Sequence, residues 1–284
     1  MKWLYGVFGI SKQAFYKRKK AQRIKETKHE IVLKQVAAIR KRMTQTGTRK
    51  LYEHLRPVLA MNQIKMGRDA LFDMLRFNQL LIRKTKRFHI TTDSHHFFYT
   101  SPNLIKDLEI THAEQVFVND ITYVKTNNGH AYLSLVTDAY SKKIMGWSLD
   151  DNMKVSMVKE ALKMANENRI FNHSRVIHHS DRGIQYCCPD YTEFAGNLNF
   201  AMSTTQNSDP YENAIAERIN GILKYEFGLR KILPSVEVAR KIVKQAVDIY
   251  NNERLHWSLD LKTPQYVHQQ YNKQKYKSYA KLAA

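Results

Sequence analysis

Three acidic residues of this chain lie in sequence contexts that suggest a catalytic or metal-binding role. Asp120 opens DITYV after the apolar run QVFVN, Asp181 lies in VIHHSDRGIQY, and Glu217 lies in ENAIAERINGILKYE. Three carboxylates gathered at one point repel one another and raise one another's pKa unless a cation offsets their charge. Mg²⁺ takes such oxygen ligands and keeps coordination positions for water and phosphates. The three residues are therefore candidates for a metal site that acts on phosphodiesters.

Their places along the chain carry more weight than their spacing. The chain holds 26 Asp and Glu residues, so a trio at almost any spacing arises by chance, and solvated surface acids are the alternative. From residue 115 onward, alternating β-branched stretches and amphipathic stretches follow the order β-β-β-α-β-α-β-α. The predicted strands are 115–126, 130–140, 142–150, 175–181 and 199–203, and the predicted helices are 154–168, 189–198 and 211–227, the last beginning near Asp209 or Pro210. This order predicts an α/β fold with a mixed five-stranded sheet flanked by helices, in which an antiparallel meander leads into parallel strands.

These elements bring the three acids within reach of one another. Asp120 falls within the first strand, Asp181 at the end of the fourth, and Glu217 on the helix after the fifth. Open α/β sheets hold their ligands in the crevice beside strand ends. The trio can therefore converge, which acids at random surface positions would seldom do.

The basic charge is concentrated in the first third of the chain. The net charge is +20, and residues 1–100 hold 23 Lys and Arg against 6 Asp and Glu, whereas the other residues hold 23 against 20. This asymmetry predicts a polyanion-binding part joined to a part with another task. A generic solubilising charge is the alternative. A membrane-surface helix is less favoured, because the basic residues spread over several segments rather than one amphipathic face.

The basic third is predicted to be helical. Helices are expected over 12–22, capped by Ser11, and over 30–43, 46–60 and 66–81, with Gly47 and Gly67 at the starts of the last two and Pro57 near the end of the third. Two short helices joined by a turn, the second carrying Arg68 and Arg76, suit a helix-turn-helix DNA reader. A plain helical bundle with a basic surface is the alternative. The cluster RKTKR, with Arg83 and Lys84, is a candidate arm that contacts the DNA backbone.

Composition also excludes several classes of protein. No stretch approaches the 18 or more apolar residues of a membrane span, and the N-terminus lacks the features of a signal peptide, which predicts an intracellular protein. Cys187 and Cys188 are the two cysteines and are adjacent, so no disulfide framework is expected. Zinc binding by these cysteines with His178 and His179 is not favoured, because adjacent side chains on a strand point in different directions.

Five motifs resemble those of a known family. They are DITYV, YLSLVTDAYSKKIMGW, HHSDRGIQY, YENAIAERINGILKYE and YNNERLHWSLDLKTPQYV, which together cover the core from about 114 to 268. In them the chain resembles DDE transposases with an RNase H-like core, similar to retroviral integrases, and more narrowly the OrfB transposases of the IS-three family of bacterial insertion sequences. TGTRKLYEHLRP is a weaker match to the family's N-terminal helix-turn-helix region. Phe117 stands where the family often has Trp, and Glu212 where it often has Asp.

The resemblance assigns roles to the three acids. It implies that Asp120, Asp181 and Glu217 are the metal-binding DDE triad, holding two Mg²⁺ ions for which Mn²⁺ could substitute. The implied reaction frees 3′-OH ends at the termini of an element and joins them to target DNA. The implied partners are double-stranded DNA, further copies of this chain in a dimer or larger oligomer, and a fusion partner from an upstream reading frame. The implied location is the nucleoid in a bacterial cytoplasm.

Several further residues are candidates for DNA contact. Lys224 lies seven residues after Glu217, two turns along the same helix face, with a solvated helix lysine as the alternative. Asn213 precedes Glu217 by four residues, and Arg182 could pair with phosphate or with a carboxylate. Arg254, like His256, either contacts DNA or caps the helix ending at Tyr250. A structural role is favoured for His178 and His179, and Asp138 is expected to make a core hydrogen bond.

The expected organisation has four parts. They are a basic helix-turn-helix-type region over 1–88, a linker over 89–113, an RNase H-like integrase core with a C-terminal helix over 114–268, and a basic tail over 269–284. Two other functions compete with a transposase. One is a transposase-derived DNA-binding regulator with an inactive core, which three intact acids argue against. The other is an RNase H-like nuclease, for which the basic N-terminal region would be superfluous.

Overall fold

The structure, a computed structural model, describes Gly9 and residues 11–82, 99–170, 175–206 and 213–270. The chain divides into two units, Met1–Thr85 and Lys86–Ala284. Arg83 and Lys84 of the predicted arm lie outside the described residues, as does the predicted tail from residue 271 onward. The four-part division of the chain stays a prediction.

Three helices form the described part of the first unit. They are α1 (Lys12–Arg42), α2 (Thr48–Met61) and α3 (Arg68–Phe77). Gly47 and Gly67 are the N-cap residues of α2 and α3, at the starts that the sequence predicts. Apolar side chains of all three helices and of the turn after α2 form one core: Val32, Val36, Leu51, Leu55, Leu59, Ile64, Leu71, Met74 and Leu75.

The prediction of two separate helices over 12–22 and 30–43 is wrong. A single 31-residue helix, α1, runs through both segments, and Ser11 Oγ caps it by accepting a hydrogen bond from Ala14 N at 3.1 Å. The connecting residues 23–29 contain neither Gly nor Pro, and their Lys, Arg and Glu residues favour helix. Pro57, predicted near the end of α2, has four further helical residues after it.

The second unit contains the predicted mixed sheet of five strands. They are β1 (Val116–Thr126), β2 (Gly129–Asp138), β3 (Ile144–Asp150), β4 (Val176–Ser180) and β5 (Phe200–Thr204), in the order β3-β2-β1-β4-β5. The first three strands pair antiparallel, whereas β4 pairs parallel with β1 and with β5. The predicted meander leading into parallel strands is therefore confirmed.

Helices cover both faces of this sheet. They are α4 (Val155–Glu167), α5 (Ile184–Cys187), α6 (Pro189–Asn197), α7 (Ala214–Glu226) and α8 (Val236–Asn252). Strand side chains alternate between two cores, so that Val136 packs with α4 and α6 while Leu135 packs with α7 and α8. The four-residue helix α5 is not predicted by the sequence. Helix α7 is described from Ala214, and its predicted start near Asp209 or Pro210 lies outside the described residues.

Asp138 makes the predicted core hydrogen bonds. Its Oδ1 accepts from Ser141 N and Oγ, and its Oδ2 accepts from Glu114 N, each at 2.6 Å. Glu114 lies beside two buried side chains, with its Oε1 3.3 Å from His268 Nε2 and its Oε2 3.9 Å from Arg169 Nε. This buried polar cluster joins the start of β1, the end of β2, the end of α4 and the helical residues 264–270. Within the described ranges, no helix combines the length and the apolar character needed to cross a membrane.

Gly146 allows β3 and α4 to pack backbone against backbone. A Cβ atom at this position would lie 2.1 Å from Ala161 O and 2.6 Å from Ala165 N. We expect Gly146→Ala to lower the free energy of unfolding by about 1–3 kcal/mol or more, because backbone atoms must shift to admit the methyl group. Urea denaturation of the variant measures this loss. Gly196→Ala in α6 is the matched control, since its Cβ would meet no atom within 4 Å; an equal loss in both variants would contradict the prediction.

Candidate active site

Parallel pairing places Asp120 and Asp181 side by side. Asn119 of β1 stands opposite Ser180, the last residue of β4. Asp120 directly follows the first of these residues and Asp181 directly follows the second. Neighbouring strands lie about 4.8 Å apart. Asp181 Oδ1 accepts a hydrogen bond from Gly183 N at 3.1 Å, which fixes the turn that follows β4. The carboxyl end of β4 therefore carries one acid directly beside the other.

Helix α7 brings the third acid to the same place. Asn220 Nδ2 donates to Asp120 Oδ2 at 2.6 Å, and Asn213 Nδ2 donates to Asn119 O at 3.4 Å. Glu217 lies between these two contacts, four residues after Asn213 and three before Asn220, and so shares their helix face. These two amide contacts from one helix therefore place Glu217 near Asp120 and Asp181.

The carboxyl groups of the site disfavour one another's negative charge. Burial raises the pKa of Asp120 to about 7, Asp181 and Glu217 add to this rise, and the hydrogen bond from Asn220 opposes it. Partial desolvation by neighbouring protein and the nearby Asp181 also raise the pKa of Glu217, although its side chain stays exposed to solvent. Carboxylates that raise one another's pKa in this way are the groups that a cation would stabilise.

Lys224 extends the polar face of α7. Its Nζ lies 4.2 Å from the centroid of the Tyr123 ring. Burial lowers the pKa of Lys224, and the negative charge of Asp120 opposes this effect. The lysine therefore lies within electrostatic reach of Asp120, on the helix face expected from its seven-residue separation from Glu217. Its contact with a phosphate stays a prediction.

Several buried polar atoms of α7 and of the strand residues that precede the acids have no protein partner in the described part of the chain. Within the described residues, Oδ1 of Asn119, Asn213 and Asn220 and Oγ of Ser180 accept or donate no hydrogen bond. In the same part of the chain, no group of three or more His, Cys, Asp or Glu side chains is arranged to hold a metal ion. The acids are neighbours but are not drawn together to a common point. Hard oxygen donors with excess negative charge nevertheless fit a divalent cation.

Other predicted residues have protein partners. Arg182 Nε donates to Thr205 O at 2.7 Å, which places its side chain along the end of β5. Arg254 is 3% exposed, and its Nε and Nη2 donate to the two carboxylate oxygens of Glu226 at 2.7 and 2.6 Å. Its Nη1 lies 2.9 Å from His256 Nε2. This burial favours the structural alternative for Arg254, as a tie between α7 and the end of α8.

The histidines before Asp181 are held inside the fold. His178 Nε2 lies 2.7 Å from Tyr191 Oη, and His179 Nδ1 lies 2.8 Å from Ser203 Oγ. Burial lowers the pKa of His178 to about 3. Both rings thus support the strand that carries Asp181, which agrees with the structural role favoured by the sequence. Cys187 and Cys188 are free thiols.

Asn220 is the functional candidate that sequence reasoning missed. It lies three residues after Glu217 and four before Lys224, so Asn213, Glu217, Asn220 and Lys224 form one polar stripe along α7. The spacing of this stripe was visible in the sequence. What the sequence lacks is the partner, because Asp120 lies 100 residues away from Asn220.

Comparisons with known proteins identify the family of this chain. Two family models described as "Integrase core domain" match residues 110–210 and 198–264. An insertion element IS600 protein of Shigella sonnei is 31% identical over 94% of this chain and 97% of its own length. Transposase InsF for insertion sequence IS3fB of Escherichia coli is 32% identical over 69% of this chain and 68% of its own. The catalytic core of HTLV-2 integrase is 17% identical, with a TM-score of 0.44 over 55% of this chain and 97% of that one.

The raised pKa of Asp120 predicts that its negative charge lowers the stability of the folded protein in a pH-dependent way. The folded state binds this proton more tightly than the unfolded chain, so stability falls as the pH rises from about 4 to 7. In metal-free protein, we expect Asp120→Asn to raise the free energy of unfolding by about 1–3 kcal/mol at pH 8 and by about a third of that amount at pH 5, where the pH is only about one unit above the pKa of the unfolded chain. Urea denaturation with EDTA at both pH values measures this. The same gain at both values would show that the charge is not the cause.

The Asn220–Asp120 hydrogen bond predicts a second pH effect. Removing the amide in Asn220→Ala raises the pKa of Asp120 further, because this bond stabilises the carboxylate. We expect the pH at which DNA cleavage reaches half its maximum to move upward, with activity partly regained at high pH. Arg218→Ala on the exposed side of α7 is the control. A pH-independent loss would instead indicate that Asn220 has only a structural role.

Proposed function

Because this chain belongs to the integrase-core transposases of bacterial insertion sequences, we propose that it cuts DNA at the ends of such an element and joins those ends to target DNA. The observation that carries this proposal is the meeting of Asp120 and Asp181 at neighbouring strand ends with Asn220 of the Glu217 helix bonded to Asp120. Each acid comes from a different element, so only the folded core assembles them. The matched family models span all three acids.

The three acids would hold divalent cations, with two Mg²⁺ ions as the expected set and Mn²⁺ as a substitute. Their donor atoms are all carboxylate oxygens, and the raised pKa values of Asp120 and Glu217 support the presence of a cation that would stabilise their charged forms. When bound, the ions would stabilise negative charge on the scissile phosphate and favour ionisation of the attacking hydroxyl. The unpartnered amide oxygens of Asn213 and Asn220 on α7 could accept hydrogen bonds from the water around the ions.

The remaining residues of α7 would position the DNA strand. Glu217 is exposed, and so the site opens to solvent on the side of α7 where a phosphodiester would lie. Lys224, held over Tyr123, would offer its ammonium group to a phosphate oxygen close to the cut. Asn213 would keep the start of the helix against β1 while this happens. Arg182, next to Asp181, is a second candidate for a phosphate contact.

The helix pair α2–α3 of the first unit would read DNA as a helix-turn-helix. Arg68 begins α3 and Arg76 lies in its last turn. Their side chains are 56% and 64% exposed and pair with Asp69 and Asp73 at 3.1 and 2.5 Å. Exposed ion pairs contribute only about 0–1 kcal/mol, so both arginines can exchange these partners for phosphates or base edges. Joining two element ends would require at least two copies of the chain.

Glu217→Gln tests the proposed reaction. Cleavage of element-end DNA should fall by about 10²-fold or more, because a ligand carboxylate is lost, while DNA binding and stability persist. Stability should persist since the charge of Glu217 is already disfavoured by burial and by Asp181. Mg²⁺-dependent cleavage assays and anisotropy binding assays measure the two effects, with the exposed Glu160→Gln as the matched control.

The outcomes separate the competing functions. Unimpaired cleavage in Glu217→Gln would refute the triad. Binding without cleavage in the unaltered protein, at any divalent cation concentration, would indicate a DNA-binding regulator instead. Products in which pre-cut ends are joined to a second duplex distinguish a transposase from an RNase H-like nuclease, which would yield only cut strands.

A further inference from the structure

The first half of α1 extends away from the helical core of the first unit. Val32 and Val36, in the second half, are 0% and 1% exposed and anchor the helix on α2 and α3. Residues 12–27 are exposed, apart from the half-buried Ala14. Lys28 marks the point where the helix meets the core, since its Nζ donates to Gln63 O at 3.2 Å. We call residues 12–28 the basic half-helix.

The basic half-helix carries an unusual concentration of positive charge. Its one acid is Glu26, and its eight cations give it a net charge of +7: Lys12, Lys17, Arg18, Lys19, Lys20, Arg23, Lys25 and Lys28. Successive residues of a helix are turned by about 100°. The run from Lys17 to Lys20 therefore spreads its cations around the whole circumference. An amphipathic membrane helix or a coiled-coil seam needs one apolar stripe, which this distribution interrupts.

The central cations of the basic half-helix have no acidic partner among the described residues of the first unit. Within residues 11–82, no carboxylate forms an ion pair with Lys17, Arg18, Lys19 or Lys20. Like charges three or four residues apart, such as Lys17 with Lys20 and Lys19 with Arg23, repel one another on a helix surface. Lys12 also lies in the first turn of the helix, at the positive end of its dipole, and that turn contains no acidic residue. An external polyanion would relieve all three unfavourable effects.

We propose that the basic half-helix binds the phosphate backbone of duplex DNA, independently of base sequence. Its 17 residues span about 26 Å, the length of roughly 7–8 base pairs, so several cations can meet successive phosphates at once. Cations on all sides suit contact with two backbones across a groove better than contact with a flat surface. This inference rests on the proposed function in one respect only, since both take DNA as the partner. It assigns to α1 a contact separate from the helix pair α2–α3.

A charge-removal variant of the full chain tests the proposal. The variant Lys17→Gln, Arg18→Gln, Lys19→Gln, Lys20→Gln removes four charges from the basic half-helix. The matched control removes four exposed lysines of the second unit: Lys163→Gln, Lys231→Gln, Lys241→Gln and Lys244→Gln. Affinity for a 30-base-pair duplex of arbitrary sequence is measured by fluorescence anisotropy over a range of salt concentrations. Circular dichroism checks that the helix content of both variants is unchanged.

We expect the half-helix variant to lose at least about 10-fold in affinity at 0.1 M salt. The slope of log K against log salt should become shallower by about 3–4, since each phosphate contact contributes about 0.9. The control should change neither quantity to this extent. Amide hydrogen exchange of residues 12–28 should slow when DNA is added, because binding removes the repulsion that opposes this helix.

Several results would overturn the proposal. Equal losses in the two variants would show that only total charge matters, and an unchanged slope would show that these cations meet no phosphates. Tighter binding of the unaltered chain to vesicles of anionic phospholipid than to DNA, lost in the half-helix variant, would assign the segment to membranes. Loss of a sedimenting dimer in that variant, with DNA affinity retained, would assign it to a second copy. Mg²⁺-dependent cleavage at saturating DNA should survive in the variant, so failure of this proposal leaves the catalytic one intact.

Discussion

The parallel pairing of β1 with β4 is the constraint on which the rest of the candidate active site depends. Because Asn119 stands opposite Ser180, both strands deliver their acid at the same level of the sheet. Asn119 Nδ2 also donates to His179 O at 3.3 Å, across the two strands, and so helps to fix this register. A slip of one residue would turn one carboxylate toward the opposite face, away from the other acid and from α7. The chemistry is therefore set by strand register before any side chain of α7 takes part.

Helix α7 lies against several negative charges, and the burial of its apolar side offsets their unfavourable effect on folding. The rise in the pKa of Asp120 to about 7 corresponds to at most about 4 kcal/mol against folding in the absence of a cation. Against this, α7 buries Ile219, Ile222 and Leu223 in the core that it shares with α8, and each contributes about 1.5–3 kcal/mol. Packing on one side of the helix thus outweighs repulsion at the other. The same helix can carry a core stripe and a polar stripe because the two have the same period.

How much could be read from the sequence depended on the range of the interaction. Strands β1–β5 follow from alternation and β-branched composition, and the acids are predicted from their places on those elements. The separate helices predicted within α1 were wrong, because charge without apolar periodicity gives no evidence of where a helix stops. The Asn220–Asp120 contact and the Arg254–Glu226 pair join residues far apart in the chain, and no local pattern specifies such partners. Local periodicity gave the elements, while long-range side-chain partners required the structure.

Buried acids near the start of β1 and near its middle have very different surroundings. Near the start of β1, Glu114 and Asp138 have close polar partners, including Arg169, His268 and backbone amides, and this cluster ties chain segments together. Near the middle of β1, Asp120 has one side-chain donor, a neutral amide, and two further carboxylates that raise its pKa. The same sheet thus supplies polar partners to the buried acids Glu114 and Asp138, so the fold itself does not prevent such pairing. The difference between the two places therefore marks the second as the one kept for a ligand from outside, since polar rules that hold elsewhere in a protein are broken at functional sites.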